Sequence, residues 1–293
     1  MKTFPRVLLA LFSLLLVFLL AASLLVSAGI YTVRRTLSPA FVENTVDGLD
    51  YASVRFPDGW GGFTPFLDEF NDALGWYGIT FTAQSLNEMV RTLSFDVLLK
   101  DYLEDFRAWL FEYGPKPYLD PDEAARTVLS GVDQSAVNVL SLFMDPQDLV
   151  AENIALFTDS TQTSARLDSL ETLRTALSRD TLLFALSVAA VLFLLLSVSR
   201  RLRVLPTLTL TGLSAALAGG CMSMAPTLLA RQKNALLVDL SMPESTLDIV
   251  YRPLMARITS NGSLLLFAGL ALAAVAGLAW FLTGRGRGIK NEE

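Results

Sequence analysis

The sequence predicts an all-α integral membrane protein: four transmembrane helices, with a mostly helical extracytoplasmic domain inserted between the first and the second. Three observations predict it. Hydrophobic residues make up 52% of the 293 and mean hydropathy is +0.46, too apolar for an ordinary soluble protein of this size. Four segments approach or exceed the roughly 20 apolar residues that cross a bilayer as a helix, and none of the four carries Asp, Glu, Lys or Arg. Basic residues gather in short pieces between and beyond those segments, the pattern of loops retained on the cytoplasmic side.

In chain order, residues 1–6 carry Lys2 and Arg6 and are expected inside. Val7 to Ile30 is the first span. Its apolar run exceeds the roughly 7 to 15 residues of a signal-peptide core, so an uncleaved anchor is expected even though Val26-Ser27-Ala28 resembles a cleavage site. Residues 31–181 form the outer domain. From Thr36 to Asp180 there are 24 Asp and Glu against 9 Lys and Arg, which disfavours nucleic acid and anionic headgroups as partners of this domain. Leu182 to Ser199 is the second span, and Leu205 to Leu229 the third. Between them SRRLRVLP brings Arg200, Arg201 and Arg203 together, so residues 200–204 read as a tight cytoplasmic turn, with Pro206 near the start of the next helix where a missing N–H costs nothing. Residues 230–261 are expected as a short outer loop, Gly262 to Thr283 as the fourth span, and residues 284–293, with Arg285, Arg287 and Lys290, as a cytoplasmic tail. Arg34 and Arg35 count against this topology but are outnumbered.

Within the outer domain, Ser85-Leu86-Asn87-Glu88 has the form of a capping box, and apolar residues then recur at three and four spacing up to Gly114, predicting one long helix. Asp120-Pro121-Asp122-Glu123 and Asp145-Pro146-Gln147-Asp148 both place a capping Asp before a proline at the first helical position. Helix starts explain these clustered carboxylates better than a metal site does. From Thr163 onward the chain has no Gly or Pro before the second span, predicting a single helix that enters the bilayer. FPDGWGGFTPF, residues 56–66, is a loop that carries aromatics, and Trp60 and Phe63 are the candidate partner contact, against an alternative in which they plug the domain's core.

Chemistry is constrained by what is missing. The chain has no histidine, which excludes Ser-His-Asp and Cys-His catalysis and His-ligated zinc or haem. The one cysteine, Cys221, lies in the third span, so no internal disulfide forms, as suits a bacterial envelope protein. No catalytic residues, metal or cofactor are expected. The spans offer hydroxyls and glycines rather than the ionisable groups of transport pathways. Gly212, Ala216 and Gly220 recur every four residues in the third span and Gly269, Ala273 and Gly277 in the fourth, predicting small-residue packing stripes that pair with each other or with a second copy.

The expectation is a non-enzymatic multi-pass protein of a bacterial cell membrane, with both termini cytoplasmic. Its surroundings are membrane lipid, and its outer domain meets a protein or envelope partner, or self-associates. The alternatives are a sensor or receptor subunit, whose layout resembles that of bacterial chemoreceptors but lacks an inner signalling domain, and an accessory subunit of a transporter. Four spans with both ends inside also resemble tetraspanins and claudins in layout, but the cysteine motifs of those families are missing and none is assigned.

Overall fold

The computed structural model describes residues 4–51, 71–72, 82–132, 134, 137–138, 141, 145–158, 167–168, 170–240 and 244–288, and among them there is no strand. The described helices are α1 (Phe4–Thr36), α2 (Pro39–Asp47), α3 (Ala83–Thr92), α4 (Phe95–Glu112), α5 (Pro121–Ser130), α6 (Pro146–Thr158), α7 (Glu171–Leu177), α8 (Arg179–Ser199), α9 (Val204–Leu240) and α10 (Glu244–Gly288). They fall into two units. One comprises Met1–Thr36, Arg179–Lys233 and Pro253–Glu293; the other comprises Leu37–Ser178 and Asn234–Arg252.

The first unit holds four helical stretches long and apolar enough to cross a membrane: Leu8–Thr36, Arg179–Ser199, Val204–Ala230 and Tyr251–Thr283. The protein is all-helical as far as described and has the four spans of a multi-pass membrane protein. The polar stretch expected as a loop at 230–261 is mostly helix, because residues 230–240 contain no Gly or Pro to stop α9, and α10 begins at Glu244. In the bundle, Leu16, Val17 and Leu20 of α1 pack on Ala189 and Leu196 of α8, with Leu210 of α9 closing over them. Phe12 and Phe18 of α1, Phe184 and Leu194 of α8, and Phe267 and Val275 of α10 stay exposed. Such a surface is costly in water and neutral in lipid. Small side chains let α8 approach α1, and at Ala185 the Ser23 hydroxyl donates across the interface to the carbonyl oxygen at 2.7 Å. The Asn261 amide donates to Thr32 Oγ1 at 2.9 Å, tying α10 to α1.

In the second unit α4 is central: α2, α3, α5 and α7 all pack on it, and α5 also pairs with α6. Leu98, Trp109, Leu110 and Phe111 are buried along it, the last three consecutive, so that its C-terminal turn is enclosed on several sides. Three sequence expectations change here. The helix predicted from Ser85 to Tyr113 is two helices, because Leu93 ends α3 and Ser94 takes a left-handed backbone (φ 55°) before α4. The periodicity on both sides was real, but a one-residue reversal leaves no mark in hydrophobic spacing. The cap lies three residues earlier than the capping box suggests: Thr82 accepts from the Ser85 N–H at 3.2 Å, and Ser85 is inside the helix. The helix predicted to enter the bilayer is broken at Ser178, whose extended backbone (φ −62°, ψ 157°) ends α7, with Asp180 in the first turn of α8. Ser178 has the backbone of a helix-starting residue, and a serine there interrupts a helix without Gly or Pro.

Candidate functional site

Trp60 and Phe63, the candidate partner contact, lie outside the described residues. The other predicted residues all lie on α9 and α10, whose crossing is described in detail. A methyl group built on Gly212 would stand 2.6 Å from the Ala273 amide nitrogen and 2.7 Å from the Gly269 oxygen. One on Gly269 would run into the Ala216 nitrogen, and one on Gly219 into the Leu266 nitrogen, while one on Gly262 would meet the Ser223 nitrogen and Oγ at 2.7 Å. The two helices therefore meet backbone against backbone, in antiparallel register: Gly212 with Ala273, Ala216 with Gly269, Gly219 with Leu266, Ser223 with Gly262.

The spacing of that seam is four, three, four on both helices. This is the 3.5-residue repeat that keeps one face of a helix against a partner, whereas a strict four-residue repeat drifts around the helix. Gly212, Ala216, Gly269 and Ala273 lie on the seam. Gly220 and Gly277 lie beside it: a methyl on Gly220 would only touch Leu266 Cδ1 at 4.0 Å, and one on Gly277 would meet Thr209 Cγ2 at 3.8 Å. Gly219, Ser223, Gly262 and Leu266 complete the contact. Steps of four, three and four from Gly212 reach Gly219 and Ser223, and the same steps from Ala273 reach Gly262; Leu266 is not a small residue and only the partner helix's register marks it.

Hydroxyls along the spans bond mostly to their own helix. Ser13 donates to Leu9 O, Thr207 to Arg203 O, Ser214 to Leu210 O and Ser223 to Gly219 O, each at 2.8 to 3.0 Å. They are satisfied in place and leave the closely approaching backbones to bring the helices together. Cys221 is exposed on the bundle's outside.

The second unit concentrates its polar contacts at one residue that sequence reasoning passed over, Arg174 of α7. Its guanidinium donates to the Trp109 oxygen at 2.9 Å and to Glu171 Oε1 at 2.9 Å, with a longer bond to the Gly114 oxygen at 3.5 Å. It also lies over the Trp109 and Tyr113 rings, 5.3 and 5.4 Å from their centres. Tyr113 takes the left-handed conformation (φ 59°) that closes α4, and the Gly114 N–H reaches back to Ala108 O. Carbonyls at the negative end of α4 thus meet a cation from α7.

A second polar network joins α2 to α3 and α4. Lys100 pairs with Asp47 at 2.7 Å, Arg91 donates to the Asp47 oxygen, and the Asn87 side chain bridges the Tyr51 N–H and Asp50. Tyr51 is buried edge-on against Phe95, and burial, reinforced by the nearby Asp96 carboxylate, pushes its phenol up to about 12. The two Asp-Pro clusters are helix starts: Asp120 accepts from the N–H groups of Asp122 and Glu123, and Asp145 from those of Gln147 and Asp148. Among the described residues no group of three or more Cys, Asp or Glu is placed to hold a metal. No protein-family model, no curated protein and no solved structure matches this chain.

Proposed function

We propose that this chain is a non-enzymatic multi-pass protein of a bacterial cell membrane, whose acidic outer domain, residues 31–181, binds a protein or envelope partner. The observation that carries the reading is the partition of charge. The unit with the four spans has fourteen Lys and Arg against three Asp and Glu; the other has nine against twenty-six. A basic set of helices suits the positive-inside pattern and an anionic bilayer, and an acidic unit suits the aqueous outer face. Each crossing reverses sides, so residues 1–6, the 200–204 turn and residues 284–293 share one side, which their basic residues mark as cytoplasmic.

Reporter fusions after Gly131 and after Arg203 test the topology: an inactive periplasmic reporter at 131 overturns it. The location of function is tested by a chimaera that keeps all four spans and replaces residues 36–160 with an unrelated soluble domain. Failure to complement a deletion strain is expected; full complementation moves the function into the membrane. Replacing Trp60 and Phe63 with Ser is expected to abolish recovery of the crosslinked partner while the outer domain stays protease-resistant, since binding energy concentrates in aromatic anchors. Loss of protease resistance would assign those rings to the core. The sensor reading has less support, because the continuous helix that would transmit a signal is interrupted at Ser178.

A further inference from the structure

The turn that joins α8 to α9 is short and basic. Ser199 ends one span and Val204 begins the next, so residues 200–203 close a hairpin between two apolar helices and cannot leave the bilayer surface. Every backbone N–H in the turn is used internally: Arg200 bonds to Leu196 O, Arg201 to Val198 O, Leu202 to Ser197 O and Arg203 to Arg200 O. The closure requires left-handed backbone at two successive residues, Arg201 and Leu202, both with φ 55°. Glycine takes that conformation without penalty, and any other residue pays for it. The chain has an arginine and a leucine there in place of glycine.

Arg201 and Arg203 are exposed, and Leu202 and Val204 are 72% and 66% exposed beside them. Cations alternating with apolar groups on a surface turn suit the boundary where acyl chains give way to headgroups. Among the described residues the turn has no counter-charge. Among the described residues no carboxylate pairs with Arg200, Arg201 or Arg203, the Arg200 Nε has no acceptor, and the sequence has no Asp or Glu between Asp180 and Asp239. With the backbone donors already used, any anion here is held by guanidinium groups, whose planar fork matches a phosphate.

We propose that the Arg200–Arg203 turn is a docking site for the phosphates of anionic phospholipids, with Leu202 seated among their acyl chains. This rests on the reading of α8 and α9 as membrane spans, but not on which side the turn faces.

The test uses full-length protein purified in neutral detergent, with phosphatidylglycerol, phosphatidylcholine or inorganic phosphate added, read by thermal midpoint and by lipid retained in native mass spectrometry. Phosphatidylglycerol is expected to raise the midpoint and stay bound, and the other two to do neither. A basic residue near an anionic surface contributes roughly fivefold in affinity, so R200Q/R201Q/R203Q should weaken phosphatidylglycerol binding by about a hundredfold. R285Q/R287Q/K290Q removes the same charge elsewhere and should keep most of it. If the triple turn variant fails to fold, R201Q and R203Q alone, both at exposed positions, should each weaken binding about fivefold. Equal loss in the tail and turn variants would overturn the site in favour of general charge, and an equal response to inorganic phosphate would overturn the lipid as its occupant. Binding in detergent is independent of orientation, so the reporter fusions can fail while this result stands, and the reverse.

Discussion

The two units solve the same problem, helix against helix, by opposite means. In the membrane unit polar side chains bond mostly back to their own helix, and the seam between α9 and α10 is made where glycines let the two backbones touch. In the second unit short helices are joined through charged side chains that reach carbonyls and carboxylates of their neighbours, as Arg174, Arg91 and Lys100 do. The difference follows from the solvent. Lipid gives no hydrophobic drive to bring helices together, so close backbone contact must supply cohesion; water gives that drive and lets charges define register. Small-residue changes should therefore break the first unit, and charge or cap changes the second.

The largest effect is expected at the seam. Gly219→Leu forces a side chain between two backbones in contact and should cost more than about 3 kcal/mol, or abolish a folded bundle. Gly220→Leu, one residue away, points beside the seam and should cost less than about 1 kcal/mol, since leucine also favours the helix over glycine. Thermal midpoints in detergent compare the two. Equal losses would show that the register derived from Gly212, Ala216, Gly219 and Ser223 does not govern packing.

That contrast also explains what was legible in the sequence. The four spans were, because a bilayer demands about 20 apolar residues and no charge, a condition that composition records directly. The Asp120 and Asp145 caps were, because an acid before a proline is a local signal. The seam was only half legible: four-residue spacing picked out Gly212 and Gly269 but passed over Gly219 and Gly262, whose value depends on the partner helix's register. Breaks at Ser94 and Ser178 depend on single backbone angles. The Arg174 contacts join residues some sixty apart, and no pattern in one sequence announces such a pair.

The next largest effect belongs to that arginine. Arg174→Ala leaves the Trp109 and Gly114 oxygens without their donor and Glu171 without its cation, which should destabilise the second unit by about 2 kcal/mol. Arg174→Lys keeps the charge but not the fork and should recover less than half. Limited proteolysis would show the loss in the second unit, while the protease resistance of the spans should be unchanged. Equal protease resistance in all three proteins would mean that α7 is held by its apolar contacts alone.

Smaller again is the cap. Asp120→Ala removes the acceptor for the Asp122 and Glu123 N–H groups and should cost about 1 kcal/mol, with Asp120→Asn recovering most of it. A metal-site role would give a different result: Asn would fail to rescue, and the wild-type protein would gain stability with added calcium. Neither is expected.

The smallest effect at neutral pH, and the one that separates the units most cleanly, comes from Tyr51. Its phenol is raised from 10.0 to about 12, first by burial and then by the carboxylates of Asp96 and Asp47, opposed by Arg91. A proton held more tightly in the folded state contributes stability that is fully present below the unfolded value of 10.0 and is lost as pH rises towards 12. Tyr102 on α4 is shifted in the same direction by burial. Between pH 6 and 9 neither group should alter stability. Above pH 10 the second unit should loosen, seen as phenolate absorbance rising together with protease sensitivity, and Tyr51→Phe should move that loosening to higher pH. The described buried polar groups of the membrane unit are Ser and Thr hydroxyls, which do not titrate in this range. Its thermal transition should therefore stay in place while that of the second unit shifts. If both units lose structure together as pH is raised, the alkaline transition is not set by Tyr51, and the contrast between the two packing modes does not extend to their response to pH.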